Sequence, residues 1–217
     1  MLSISSSRGR WSIVLAVVGG IVGVALWAVT SWAASKVPAN PNPDRSRYGF
    51  ESDTMGWKKE TYVNSRAVTS VAQSADRARL GKHSLKLTVD LRGGHANLSK
   101  GEAFVEVVPI QNLRGRAITA WVYTPAAAAG DPQRPNGLQL FVKSGQQWDA
   151  EYGAWQNIAG DSWQQVTLTP STSTPEGGWK AEGFDPGKIR SVGIKIGAGG
   201  GSQARYRGPI YLDAVNW

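Results

Sequence analysis

Two segments of the chain, residues 118–123 and 138–143, alternate apolar residues with large aromatic and polar ones. In both segments the even-numbered positions are apolar and suit a core, so the odd-numbered positions of the predicted strands point away from it. A sugar ring offers an apolar C–H surface that packs on aromatic faces, and hydroxyls that bond to amide and charged groups. We therefore predict that this face binds a saccharide. The odd positions are Thr119, Trp121 and Tyr123 in one strand and Gln139, Phe141 and Lys143 in the other.

A predicted hairpin at residues 146–156 adds aromatic residues after the second strand. Because tryptophan is highly buried on average, the alternative is that these rings fill a core or lie under a loop. The expected stacking residues are Trp121, Tyr123, Trp148 and Trp155, and the expected hydroxyl partners are Gln139, Lys143 and Tyr152. Of the other tryptophans, Trp163 and Trp217 are expected to be packing residues, and Trp57 and Trp179 receive no role.

Few residues of the chain suit catalysis. The absence of cysteine excludes thiolate zinc sites and cysteine nucleophiles. Glycoside hydrolysis needs two facing carboxylates, and Asp149 and Glu151, which share a period-two spacing, lie on a predicted loop. His83 and His95 lie at a strand entry and in a turn, where we expect surface positions. We predict a non-catalytic protein; a jelly-roll glycoside hydrolase or polysaccharide lyase is one alternative, and a surface module that binds protein is another.

The chain carries a formal net charge of +8. Its basic residues are spread along the whole sequence instead of forming a cluster, so we do not expect nucleic acid as a partner. A modest positive charge suits a polysaccharide, including one that contains acidic sugars.

Beyond residue 48 the pattern is typical of an all-β protein. Short runs of alternating apolar residues, such as Leu85, Leu87 and Val89, are separated by turn residues, and helical spacing is almost absent. We expect about nine to eleven strands. They must bury their apolar faces against a second sheet, which predicts an antiparallel jelly-roll β-sandwich.

The N-terminal part of the chain has a different composition. Residues 11–35 contain no charge and follow Arg8 and Arg10, which fits either a cleaved signal peptide or a membrane anchor that forms one hydrophobic helix. Residues 36–47 contain three prolines and predict an extended linker. We therefore expect segments at 1–35, 36–47 and 48–217, in a protein that is exported and extracellular or at the cell surface, with possible anchoring in the cytoplasmic membrane.

Four stretches of the domain resemble carbohydrate-binding modules of the galactose-binding-like jelly-roll type, which are appended to mannanases, glucanases and xylanases. Each stretch is short, but their order and spacing together cover most of 48–217. The resemblance implies a non-catalytic module for a polysaccharide or oligosaccharide. The stretches are Tyr48–Asp53 with Gly56-Trp57, Gly81–Leu87, Gly137–Val142 with Trp148 and Gly160–Val166, and Gly208–Trp217.

The same resemblance implies a structural calcium ion. In such modules the ion joins the first and last strands through an acidic residue near the start, an aspartate in the last strand and main-chain carbonyls. The matching residues are Glu51 and Asp213. Calcium prefers such carboxylate and carbonyl oxygens, and a salt bridge to an arginine is the alternative role for these side chains.

Overall fold

Two antiparallel sheets pack face to face. The computed structural model describes residues 46–145, 149–200 and 204–217, and within these ranges the chain forms fourteen strands. In chain order they are β1 (Lys58–Lys59), β2 (Val68–Ser74), β3 (Ser84–Arg92), β4 (Lys100–Gln111), β5 (Ile118–Thr124), β6 (Gly130–Asp131), β7 (Arg134–Pro135), β8 (Gly137–Lys143), β9 (Ala150–Tyr152), β10 (Gln156–Asn157), β11 (Ser162–Leu168), β12 (Trp179–Lys180), β13 (Ile189–Gly197) and β14 (Arg205–Asn216).

The seven-stranded sheet has the spatial order β1-β4-β13-β8-β9-β12, with β10 also paired to β8. The five-stranded sheet has the order β11-β5-β14-β3-β2, and β6 and β7 form a separate two-stranded ribbon. Most strands that are neighbours in a sheet are distant in sequence, so the chain crosses repeatedly between the two sheets. The only helical element of the described residues is a 3-10 turn at Ala126–Ala128. The predicted all-β antiparallel sandwich is confirmed.

The apolar faces of the two sheets form one core. Alternating residues of β8 (Leu138, Leu140 and Val142) belong to the same buried cluster as Ala120 and Val122 of β5. This is the arrangement that the period-two pattern predicts, because every second side chain of a strand points to the same face.

The two ends of the described domain meet beside this core. Tyr48 and Val215 exchange two backbone hydrogen bonds of 3.1 Å, and the Tyr48 ring packs against Trp57 and Trp217. Trp217 therefore packs within the fold, as predicted.

The N-terminal predictions lie outside the described residues. These are the signal peptide or anchor at 1–35 and residues 36–45 of the linker. In the part of the chain that the structure describes, no helix has the length and apolar composition of a membrane span.

Glu151 is a carboxylate on the core side of the seven-stranded sheet. It is paired with Val142 in β8, has no exposed surface, and accepts one hydrogen bond, from the Ser171 N–H at 3.2 Å. Its Oε1 atom has no hydrogen-bond partner among the described residues. Burial raises the pKa of Glu151, outweighing the Ser171 N–H and the Lys180 charge, which lower it. The folded state thus favours the protonated form.

We expect Glu151→Gln to gain stability relative to the parent protein as the pH rises. A raised folded-state pKa contributes stability that is complete below the unfolded value of 4.5 and is lost as the pH rises through the folded value. The difference in Tm between variant and parent, measured by calorimetry, should therefore increase by several degrees between pH 4.5 and about pH 8, since 1 kcal/mol shifts Tm by about 2–4 °C in a domain of this size. The exposed Glu182→Gln variant is the control. An equal pH dependence in both variants would show that Glu151 titrates normally.

Candidate functional site

The outer face of the seven-stranded sheet carries a row of aromatic residues that crosses all its main strands. Strand register places these residues side by side, each on a neighbouring strand and on the face opposite the core. We call this surface the aromatic face. In spatial order the row is Lys58, Phe104, Gly193, Phe141, Tyr152 and Trp179.

Gly193 lets the central ring of this row lie flat against the sheet. A Cβ atom at this position would come within 2.3 Å of Phe141 Cζ and 2.7 Å of the Ala103 carbonyl oxygen. The Phe141 ring is fully buried and stacks on the Tyr152 ring, with centroids 5.1 Å apart and planes inclined by 29°. Phe141 therefore supports Tyr152 from below and offers no surface to a ligand.

Two tryptophans lie at the edges of the aromatic face. Trp155 covers a pair of glycines, Gly137 in β8 and Gly197 in β13, where added Cβ atoms would come within 2.1 Å and 2.9 Å of the indole. Trp179 in β12 contacts the Tyr152 ring at a centroid distance of 5.9 Å and is 47% exposed. Trp179 is therefore an accessible flat apolar surface beside Tyr152.

A buried polar network fixes the side chains next to Tyr152. The Tyr152 hydroxyl donates to Glu102 Oε1 at 3.1 Å, and burial together with the Glu102 charge raises the pKa of Tyr152 well above its usual range. Lys195 Nζ donates to Gln139 Oε1 at 2.9 Å, and Gln139 Nε2 donates to the Gly153 carbonyl at 2.8 Å. These bonds hold the polar groups in one arrangement before any ligand arrives.

The other end of the face is built from ion pairs. Lys143 Nζ lies 3.0 Å from Glu60 Oε2, and Lys58 Nζ lies 2.6 Å from Glu106 Oε1. Burial of Glu60 alone would raise the pKa of its carboxyl, but the hydrogen bond and charge of Lys143 outweigh it and lower that pKa. Glu60 is therefore held ionised.

Two pockets open on the aromatic face. The smaller, of about 290 Å³, lies beside Trp179 and is lined by Tyr152, Gln139, Lys100 and Lys195. The larger, of about 570 Å³, lies at the opposite end. Its lining includes Phe104, Lys143, Glu60, Arg190 and the exposed end of β4 at 108–110. The two pockets share no lining residue, and each has a polar and aromatic lining.

The predicted placement of Trp121 and Tyr123 on the same face as Gln139 is wrong. Strand β5 belongs to the five-stranded sheet, so these rings lie on the opposite side of the sandwich. The Arg77 guanidinium lies 4.0 Å from the Tyr123 ring centroid, and the Arg79 guanidinium lies 4.3 Å from that of Trp121. The alternation of apolar residues along β5 shows correctly that both rings point away from the core. It cannot show which sheet the strand joins.

Four of the seven predicted site residues come together on the aromatic face: Gln139, Lys143, Tyr152 and Trp155. Trp148 lies outside the described residues. Trp163 packs edge-on against Tyr123 at 5.7 Å, as a packing residue.

Several residues of this face were not predicted from the sequence. Phe104 and Glu102 alternate with core residues of β4, and Lys195 alternates with those of β13, so the same parity argument would have found them. Glu60 and Trp179 sit in or beside two-residue strands, where no period can be detected.

The expected calcium ligands lie together at another part of the sandwich. Asp213 has no exposed surface and its Oδ2 accepts N–H bonds from Arg79 at 2.7 Å and Leu80 at 3.0 Å. Glu51 is exposed and accepts N–H bonds from Lys82 and His83 of the same loop. Both carboxylates thus meet one segment, 79–83.

These two carboxylates fit part of a calcium oxygen set. Ca²⁺ takes 6–8 oxygens, and the described residues contain no group of three or more Asp, Glu, His or Cys side chains that could hold a metal. The remaining ligands would be main-chain carbonyls and water. Among the described residues neither carboxylate forms the salt bridge to an arginine that was the alternative, and the Oε2 atom of Glu51 lies 3.4 Å from Nδ1 of His83. The calcium ion stays a prediction.

Comparison with known proteins identifies the family. The family described as mannanase, galactose-binding domain-like, matches residues 48–214. The chain belongs to this family. No curated protein sequence matches it at a significant level.

Solved structures of carbohydrate-binding modules share the fold. One, from a study of promiscuous specificity in modules of the β-sandwich superfamily, superposes with a TM-score of 0.52 at 21% identity, over 80% of this chain and 61% of that one. Another, CBM27-1 of Caldicellulosiruptor saccharolyticus in complex with mannohexaose, gives a TM-score of 0.50 at 17% identity, over 77% of this chain and 93% of that one. The chain thus spans less than two thirds of the first of these structures. At such identities the likeness establishes the β-sandwich fold of these modules.

Replacement of Gly193 by alanine should displace Phe141. A Cβ atom 2.3 Å from the ring forces the ring or the backbone to shift, and overpacking of this kind costs about 1–3 kcal/mol. We expect Tm to fall by several degrees. In a Phe141→Leu background the same glycine change should cost less, which a double-mutant cycle of Tm values measures. Equal costs in both backgrounds would mean that the ring does not rest on Gly193.

Calcium binding at Glu51 and Asp213 can be tested by thermal melting with calcium and with chelator. A ligand that binds only the folded state stabilises it by RT ln(1 + [L]/Kd), so Tm rises with the free ligand concentration. We expect calcium to raise Tm in the parent protein and the effect to be smaller in Glu51→Gln, whose substituted side chain is exposed. The same melting curve in calcium and in chelator would refute the site.

Proposed function

We propose that this chain is a non-catalytic module that binds a polysaccharide on the aromatic face. The observation that carries the proposal is the sheet face from Phe104 to Trp179, on which the exposed Trp179 ring and the partly exposed Tyr152 and Phe104 rings lie with polar groups beside them. Accessible rings suit the C–H surface of pyranose rings, and the flanking lysine, glutamine and glutamate side chains suit their hydroxyls.

Membership of the mannanase-associated family and the β-sandwich fold support this proposal. The module of Caldicellulosiruptor saccharolyticus with the same fold holds mannohexaose. The two pockets of the present chain lie at opposite ends of one face, as an extended oligosaccharide would require.

The electrostatics of the face favour binding over hydrolysis. A general acid needs a raised pKa to carry a proton at neutral pH. Glu60 has a lowered pKa and is paired with Lys143, while Glu106 is paired with Lys58. Glu102 accepts the Tyr152 hydroxyl. Each of the three carboxylates of the face is thus committed to a neighbouring side chain.

We also propose that the module acts outside the cell. The uncharged segment 11–35 supports export, as a signal peptide or as an anchor in the cytoplasmic membrane. An anchored or linked module increases the local concentration of its polymer without new contacts.

Alanine variants of the two tryptophans at the edges of the aromatic face test the location of the site. We expect Trp179→Ala and Trp155→Ala each to weaken binding about 5- to 30-fold, because a stacked ring contributes roughly 1–2 kcal/mol. The measurement is calorimetric titration of the full chain with a panel of mannohexaose, xylohexaose and cellohexaose.

The matched control is Trp121→Ala, which removes the same side chain from the five-stranded sheet. Its affinity should equal that of the parent protein. Loss of binding in Trp121→Ala with retention in Trp179→Ala would move the site to the opposite sheet, and product formation in a reducing-sugar assay would show catalysis.

A further inference from the structure

The smaller pocket of the aromatic face contains two cations close together. Lys100 in β4 and Lys195 in β13 both line it, and the Lys195–Glu102 pair lies two pairs from the Gly197–Lys100 pair in the strand register, so both side chains are on the same face. Lys195 donates to the neutral Gln139 oxygen, and its Nζ lies 5.0 Å from the Tyr152 ring centroid. Among the described residues Lys100 forms no ion pair or side-chain hydrogen bond. Neither ammonium group is neutralised by direct contact with a carboxylate.

Glu102 is the nearest carboxylate, and it does not remove this excess of positive charge. It is 4% exposed, faces Lys195 across the strand pair, and accepts the Tyr152 hydroxyl. No ion pair forms between Glu102 and Lys195. Burial and the charge of Lys100 lower the pKa of Lys195, and Glu102 opposes them only in part. Two lysines thus lie beside one carboxylate, which leaves an excess of positive charge in a partly desolvated position.

The larger pocket differs in this respect. Its lining holds two carboxylates, Glu60 and Glu106, and two cations, Lys143 and Arg190. Lys143 is 3.0 Å from Glu60, and each side chain of that pair is less than a fifth exposed. One end of the face is thus balanced in charge, while the other carries unpaired lysines.

We propose that the pocket beside Trp179 binds a sugar ring bearing an anionic group, a carboxylate or a sulfate, which Lys100 and Lys195 hold. This inference rests on the proposed function and names the substrate class of one subsite. The ring stacks on the exposed Trp179 indole, and its anionic group faces the two ammonium groups. An ammonium group offers strong charge-assisted hydrogen bonds to carboxylate or sulfate oxygens. Binding relieves the repulsion between the two lysines, which a neutral sugar does not.

The decisive comparison uses polymers that differ only in charge. Binding of the full chain to polygalacturonate is compared with binding to the same polymer after reduction of its carboxyl groups, and dextran sulfate is compared with dextran. We expect at least one anionic member to bind about tenfold tighter or more than its neutral partner, which corresponds to one charge-assisted contact. The pair that shows the preference identifies the anionic group.

Lysine variants test whether the preference for anionic polymers arises in this pocket. In Lys100→Gln and Lys195→Gln the advantage of the anionic polymer should fall several-fold, and its dependence on salt should weaken. Lys188→Gln is the control, because it removes the same charge from a side chain that is 71% exposed and pairs with Asp185. Lys100 begins its strand and is half-buried, so its variant tests the proposal even if Lys195→Gln does not fold.

Each outcome is decisive. Equal binding of charged and neutral polymers would overturn the anionic subsite and leave glycan binding intact. A loss of preference in Lys188→Gln as large as in Lys100→Gln would reduce the effect to overall charge and also overturn it. Absence of binding to these polymers and to the neutral hexasaccharides would overturn the proposed function itself.

Discussion

The close contact between the Phe141 ring and the backbone of Gly193 determines the shape of the aromatic face. With any side chain at 193, the Phe141 ring could not lie against the sheet, and the Tyr152 ring that stacks on it would rise with it. Tyr152 in turn contacts Trp179 and donates to Glu102. A single glycine in a central strand therefore positions rings on three neighbouring strands, at the usual cost of glycine to strand stability.

The same device recurs at the edge, where Trp155 lies over Gly137 and Gly197. In both places a large ring rests on bare backbone. A ring supported in this way has few rotamers available, so little side-chain entropy is lost when a ligand stacks on it or on its neighbour. The polar groups are equally constrained, because Gln139 and Lys195 bond to each other before binding.

The two-layer fold was predicted correctly from the sequence. The assignment of the outward-pointing residues to one sheet or the other was predicted less well. Alternation in β5 and β8 showed that Trp121 and Gln139 both leave the core, because parity is a local property. Their assignment to one surface was wrong, since sheet membership depends on long-range pairing, and β5 pairs with β11 and β14. Trp179 was missed for a related reason. It lies in a two-residue strand, whose place at the edge of the sheet is set only by pairing with β9.

The two outer faces also show why aromatic content alone does not identify a binding surface. On the five-stranded sheet, Tyr123 lies under Arg77 and Trp121 under Arg79, so cations of the protein already occupy both ring faces. On the seven-stranded sheet, cations also lie over rings, with Lys58 and Lys143 near Phe104, Lys143 near Phe141 and Lys195 near Tyr152. The two faces differ in Trp179, whose indole is 47% exposed beside two lysines that form no ion pair with a carboxylate of the described residues. This end of the face can therefore accept a ring and a charge together.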